Sequence, residues 1–112
     1  MFRVEEDNTI HLTRGDTLRA VVDLFYDDAE ETPYVPENGD YIRFALKKYY
    51  GDRTPIINKR IQNGDRILYL EPNDTKSLPF GEYVYDIEIT HANGDVDTFI
   101  YEARFDLRKE VH

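Results

Sequence analysis

Few residues of this chain are of the types that carry catalysis, and their spacing limits what they can do. Ser77 is the only serine and there is no cysteine, so a nucleophilic triad lacks its first member. The histidines, His11, His91 and His112, show neither the i, i+4 spacing of a zinc helix nor a common strand face. Asp27, Asp28, Glu30 and Glu31 offer oxygens of the kind calcium takes, yet lack the alternating acids and fixed glycine of an EF-hand loop. Acid runs of this sort usually stand as solvated loop, which leaves calcium at 27–31 an open alternative. Paired carboxylates suited to glycoside hydrolysis discriminate nothing in a chain with 23 acids. The residues therefore assign no catalytic, cofactor-binding or metal position.

Two other groups point to binding. Arg14-Gly15-Asp16 spells an adhesion tripeptide, but it coincides with a bend between extended segments and is read as a turn. Tyr49 and Tyr50, together with Tyr34, present aromatic faces that suit a protein partner or a sugar.

The elements that must position these groups are marked by glycine. Five of the six glycines precede an aspartate, at 15, 39, 51, 64 and 94. Glycine reaches positive φ freely and aspartate bonds its own nearby backbone, so each pair signals a chain reversal. Between these marks apolar residues alternate with period two, the pattern of strands buried on one face. Seven strands are expected, over 9–13, 17–26, 40–48, 56–61, 66–71, 82–90 and 96–107. In the second, Leu18, Ala20, Val22 and Leu24 share a face. In the third, Ile42, Phe44 and Leu46 point inward while Arg43, Ala45 and Lys47 point outward. In the last strand Val96, Thr98 and Ile100 lie on one parity and Phe99, Tyr101, Phe105 and Leu107 on the other, which points to a bulge without locating it. Residues 27–38 form the longest loop.

Seven short strands without a helix-period segment imply an all-β fold, an immunoglobulin-like antiparallel β-sandwich in one domain over 1–112. The corner between the fifth and sixth strands adds to this. Residues 72–78 read as one helical turn, capped by Asn73 or Asp74 and anchored by Leu78. Tyr83 then opens a strand two residues before inward-facing Tyr85, the spacing of a tyrosine corner. Asp74, Thr75 and Tyr83 are the structural corner residues.

Composition narrows the partners. A net charge of −9 and a pI near 4.7 oppose nucleic acid, whose capture needs a basic face. No apolar run reaches membrane-spanning length, and the absence of cysteine fits folding in a reducing cytosol. With 40% hydrophobic residues the chain is expected to fold.

The ordered motifs, Ile10-His11-Leu12-Thr13-Arg14-Gly15-Asp16-Thr17, Gly39-Asp40-Tyr41-Ile42-Arg43-Phe44, Leu70-Glu71-Pro72-Asn73-Asp74-Thr75, Gly81-Glu82-Tyr83-Val84-Tyr85-Asp86-Ile87 and Asn93-Gly94-Asp95-Val96-Asp97-Thr98, resemble a phage family. The chain is similar over about residues 9–107 to the N-terminal domain of baseplate upper proteins and related short prophage tail proteins. The resemblance implies a virion connector, made in the bacterial cytoplasm, without catalysis or cofactor, that binds other virion proteins or further copies of itself. Known members continue into helical or fibre segments, which this sequence does not show. Unpaired edge strands are the expected contacts. The expected contact residues are Ile56 and Ile57 in the fourth strand with Tyr49 and Tyr50 beside it, or the segment 2–6. The alternative is a carbohydrate-binding module for host glycan, stacking sugar on Tyr34, Tyr49 and Tyr50.

Overall fold

The computed structural model describes residues 2–25, 32–35, 37–62 and 64–109. Its elements in chain order are β1 (Phe2–Val4), β2 (Ile10–Thr13), β3 (Leu18–Val21), β4 (Tyr41–Lys47), β5 (Ile57–Ile61), β6 (Ile67–Leu70), a short helix α1 (Pro72–Thr75), β7 (Gly81–Thr90) and β8 (Val96–Arg108). One sheet runs β1-β2-β8-β7-β4-β5 and the other pairs β3 with β6. The fold is all-β and sandwich-like. The order β8-β7-β4-β5 facing β3-β6 matches G-F-C-C′ facing B-E in immunoglobulin-like sandwiches.

Strand β1 is an eighth strand that the alternation pattern did not single out. Asn8, at φ 72°, reverses the chain between β1 and β2, and Glu5 N–H donates to Thr9 O at 2.8 Å. Asparagine tolerates the left-handed region better than most residues, which lets β1 fold back on β2. One pair departs from the antiparallel expectation. β2 runs parallel to β8, with Ile10 beside Phe105 and Leu12 beside Leu107. The reason is topological: β2 and β8 travel the same way, and the large sheet gives β2 a place beside β8 that buries Ile10 and Leu12.

Strand β3 is shorter than the alternation predicts. Val22 N–H still donates to Arg66 O at 2.8 Å, but Arg66 sits at φ 52° in a turn where its own N–H bonds Gln62 O. The partner strand begins there, so β3 has nothing further to pair with. Its inward face nonetheless follows the pattern, since Leu18, Val22 and Leu24 are buried.

The core lies between the sheets. Phe44, Tyr85 and Phe105 form an aromatic triangle with centroid separations of 5.4 to 6.4 Å, the edge and tilted geometry that aromatic quadrupoles favour. Ile42, Leu46, Leu68 and Leu70 fill the space around it. Burial pushes the Tyr85 hydroxyl well above its ordinary pKa; the group donates to Asn8 O at 2.5 Å and so fastens the β1–β2 turn to the core.

The parity change in β8 resolves into two register shifts opposite Tyr85–Glu88. At the first, Glu102 takes φ 49° and its N–H donates to Asp86 Oδ1 at 2.6 Å. Asp86 also pairs with Lys47 at 2.9 Å. Burial alone would lower the Lys47 pKa, but the Asp86 carboxylate beside it wins and raises it. Ala45 and Lys47 were expected to face outward, and they do lie on that face, yet both are buried there. The carboxylate that secures the bulge also holds the lysine down over the sheet.

Candidate functional site

The large sheet ends in β1 on one side and β5 on the other, so the two expected contact segments are its two edges. Each edge has its own character. All three residues of β1 are exposed, with Phe2 and Val4 presenting apolar side chains. On β5, Ile56 is exposed while Ile57 is buried in the core and offers no side chain to a partner. The physical reason is register: Ile57 lies opposite Leu46, and both point between the sheets. Lys59 also lies on the inward parity and reaches Asp74 at 3.0 Å. An inward-pointing charge on an edge strand is a device that discourages unplanned strand addition. The edge at β1 carries no such charge on its inward positions.

Tyr49 and Tyr50 occupy the β4–β5 loop and are about two-thirds exposed, at 66% and 68%. Lys48 Nζ lies 5.8 Å from the Tyr49 ring and 4.4 Å from the Tyr83 ring, a cation–π arrangement that fixes the lysine between them. Tyr34 is not with them. It is buried, its ring is tilted against Phe99 with centroids 5.5 Å apart, and its hydroxyl donates to Asp40, so it presents no face to a sugar. Period-two reading could not place Tyr34, because it lies in a loop where no alternation marks the inside.

The corner residues are all committed to holding the chain. Asp74 Oδ2 accepts Glu71 N–H at 2.7 Å, which ties off the start of α1. Thr75 is fully buried, and its Oγ1 accepts Gly15 N–H at 3.1 Å. The Tyr83 hydroxyl donates to Pro79 O at 2.6 Å, and burial raises its pKa. Arg14 donates to Leu78 O at 3.2 Å and stacks over Phe80 at 4.0 Å. The adhesion tripeptide is thereby sewn onto the corner.

A titratable network closes the other end of β7. Asp40 is buried and accepts from the Tyr34 hydroxyl, from Glu37 N–H at 3.1 Å and from His91 Nδ1 at 3.0 Å. Burial works to raise its pKa, but these donors outweigh burial and hold the carboxyl below its ordinary 3.8. His91 Nε2 meets Asp97 Oδ2 at 2.8 Å. Asp97 and then Asp40 raise the imidazole above its ordinary 6.5. The two carboxylates sit on opposite ring nitrogens, so they do not converge on one point where a cation would lie. Among the described residues no group of three or more His, Asp or Glu is placed to hold a metal ion. The acidic run at 27–31 and His112 lie outside the described residues.

One further grouping, His11 with Asp106 and Arg108, has no linear signal, because His11 lies 95 and 97 positions from the other two and meets them through the parallel β2–β8 register. No family model, no curated protein and no solved structure matches the chain.

Proposed function

We propose that the chain is a non-enzymatic assembly module of a phage or prophage particle, in the tail, baseplate or another part of the virion, that binds protein partners through the edges of its large sheet. The observation that carries the assembly reading is the pair of open edges. β1 is short, wholly exposed and apolar at Phe2 and Val4, while Ile56 and the tyrosine pair Tyr49 and Tyr50 stand out beside β5. Such edges offer unpaired backbone groups for strand addition. The phage assignment rests on the resemblance of the ordered motifs. The short loops of the described chain suit a connector better than an enzyme, whose substrate needs a deep concave site.

Gold-labelled antibody against the chain, applied to purified particles of a phage encoding it, tests the assignment. Labelled tails or baseplates are expected; particles free of the chain overturn it. Light scattering of the purified protein tests self-assembly, with Val4→Lys and Ile56→Lys as variants that disturb one edge each. Loss of association with either variant, its unfolding midpoint unchanged, identifies the edge in use. The glycan alternative has lost Tyr34 to the interior and retains only Tyr49 and Tyr50. Glycan capture abolished in the Tyr49→Ala/Tyr50→Ala double variant would favour it.

A further inference from the structure

His11 lies opposite Asp106 on β8 and opposite Arg3 on β1, on the face of the large sheet turned away from the core. Its Nδ1 is 3.0 Å from Asp106 Oδ2 and 2.8 Å from a terminal guanidinium nitrogen of Arg108. Its Nε2 is buried without a hydrogen-bond partner, 3.3 Å from Glu5 Oε2 but poorly aligned to it. Arg3 pairs with Glu5 at 3.2 Å, and Arg108 Nε with Asp106 at 3.0 Å. Beside this cluster opens a cleft of about 300 Å³ lined by Phe2, Arg3, His11, Thr13 and Arg108.

The lining is unusual for this chain. Acids outnumber bases 23 to 14, yet among the described residues no carboxylate lines the cleft and each of the four polar side chains there can donate a proton. The contacts around His11 are also in conflict. Arg108 needs the Nδ1 lone pair, whereas Asp106 needs a proton on the same atom, and one ring nitrogen cannot supply both. A ligand that drew the terminal nitrogens of Arg108 away would let Nδ1–H donate to Asp106, while Arg108 Nε kept its bond to that carboxylate.

We infer that this cleft is a binding site for a small carboxylate bearing an apolar group. Arg108 and Arg3 take the carboxylate through charge-assisted bonds, which guanidinium groups make in a planar fork, and Phe2 lies against the apolar part. Glu5 and Asp106 already pair with the two arginines, so a bound anion must share those guanidinium groups with them, and a monoanion meets less repulsion from the two carboxylates than dianionic phosphate does. The volume stands at the lower end of ligand pockets, which fits a group the size of a single aromatic acid or one terminal residue. The shared chemistry is met in a free organic acid and in the C-terminal residue of another chain. This inference is independent of the virion reading.

The test is an NMR titration of the full chain with benzoate and with acetyl-phenylalanine, against benzamide and inorganic phosphate. Saturable shifts at the Arg3, His11, Thr13 and Arg108 amides with the carboxylates, together with movement of the His11 ring proton from Nε2 to Nδ1, are expected. Tighter benzoate binding marks a free acid as the ligand, and tighter acetyl-phenylalanine a chain terminus. Equal shifts with benzamide, stronger binding of phosphate, or an unmoved His11 ring would overturn the inference. Arg108→Lys keeps the charge and loses the fork, and is expected to weaken benzoate binding about tenfold, as loss of a charge-assisted bond does. Unchanged affinity in that variant would equally sink it. The comparison of benzoate with benzamide uses the unaltered chain, so it decides the matter even where a variant fails to fold.

Discussion

Strand β7 begins at a corner fastened by backbone and hydroxyl bonds and ends at a hairpin fastened by a buried carboxylate and an imidazole. At the corner, Thr75 accepts from Gly15 and Tyr83 donates to Pro79, and neither bond changes with a proton near neutrality. At the hairpin, Asp40 gathers Tyr34, Glu37 and His91, and His91 passes on to Asp97. One strand thus has a pH-indifferent end and a pH-responsive end. The lesson is that the same task, pinning a distant loop to the end of a strand, is done by a neutral bond across 60 positions at the corner, from Gly15 to Thr75, and by charge across 51 at the hairpin, from Asp40 to His91.

That contrast can be broken from either side. The largest effect is expected from Asp40→Ala, which strands a buried hydroxyl, an N–H and an imidazole together; urea unfolding should show a loss of about 3 kcal/mol. A loss below that of the corner variants would make the hairpin end the less important fastening. Thr75→Val comes next, leaving the Gly15 N–H without its acceptor, at a cost of about 1–2 kcal/mol in the same measurement. Tyr83→Phe removes one hydroxyl bond and should cost about 1 kcal/mol, with no change in pH dependence.

The pH dependence itself sharpens the comparison. His91 holds its proton more tightly when folded, so its contribution is complete below about 6.5 and is lost as pH rises through the raised folded value. Asp40 runs the other way: its contribution is complete above about 3.8 and is lost as pH falls through the lowered folded value. The hairpin end is therefore firmest between those limits. Urea midpoints followed across this range should decline on the alkaline side in the parent and in Tyr83→Phe, and lose that decline in His91→Gln. A decline that persists in His91→Gln would assign the response to another group. The smallest effect belongs to Glu82→Gln at the corner end. Glu82 pairs with Arg104 at 2.7 Å, but both are well exposed, and neutralising such a pair should move stability by less than about 0.5 kcal/mol.

Much of this architecture is legible in the sequence because alternation is a local signal. Ile42, Phe44 and Leu46 announce their inward face, and the spacing of Tyr83 and Tyr85 announces the corner. What escapes is whatever depends on pairing at a distance. Ile57 reads as a contact residue from its place in a short polar strand, and only its register with Leu46 turns it inward. Tyr34 reads as a surface aromatic because its loop has no period. His11, Asp106 and Arg108 carry no linear motif at all. The bulge is announced by parity but located only by Asp86, whose carboxylate bonds the Glu102 N–H.

The parallel pairing of β2 with β8 has a mechanical consequence. If the chain is pulled between its first and last strands, the antiparallel β1–β2 contact opens like a zipper, one bond after another. The β2–β8 contact cannot open in that way. Its two strands point the same way and are drawn in opposite directions, so its bonds from Ile10–Phe105 to Thr13–Arg108 are loaded together in shear. Under tension the domain would yield early at β1 and then resist at a clamp made of residues 10–13 and 105–108.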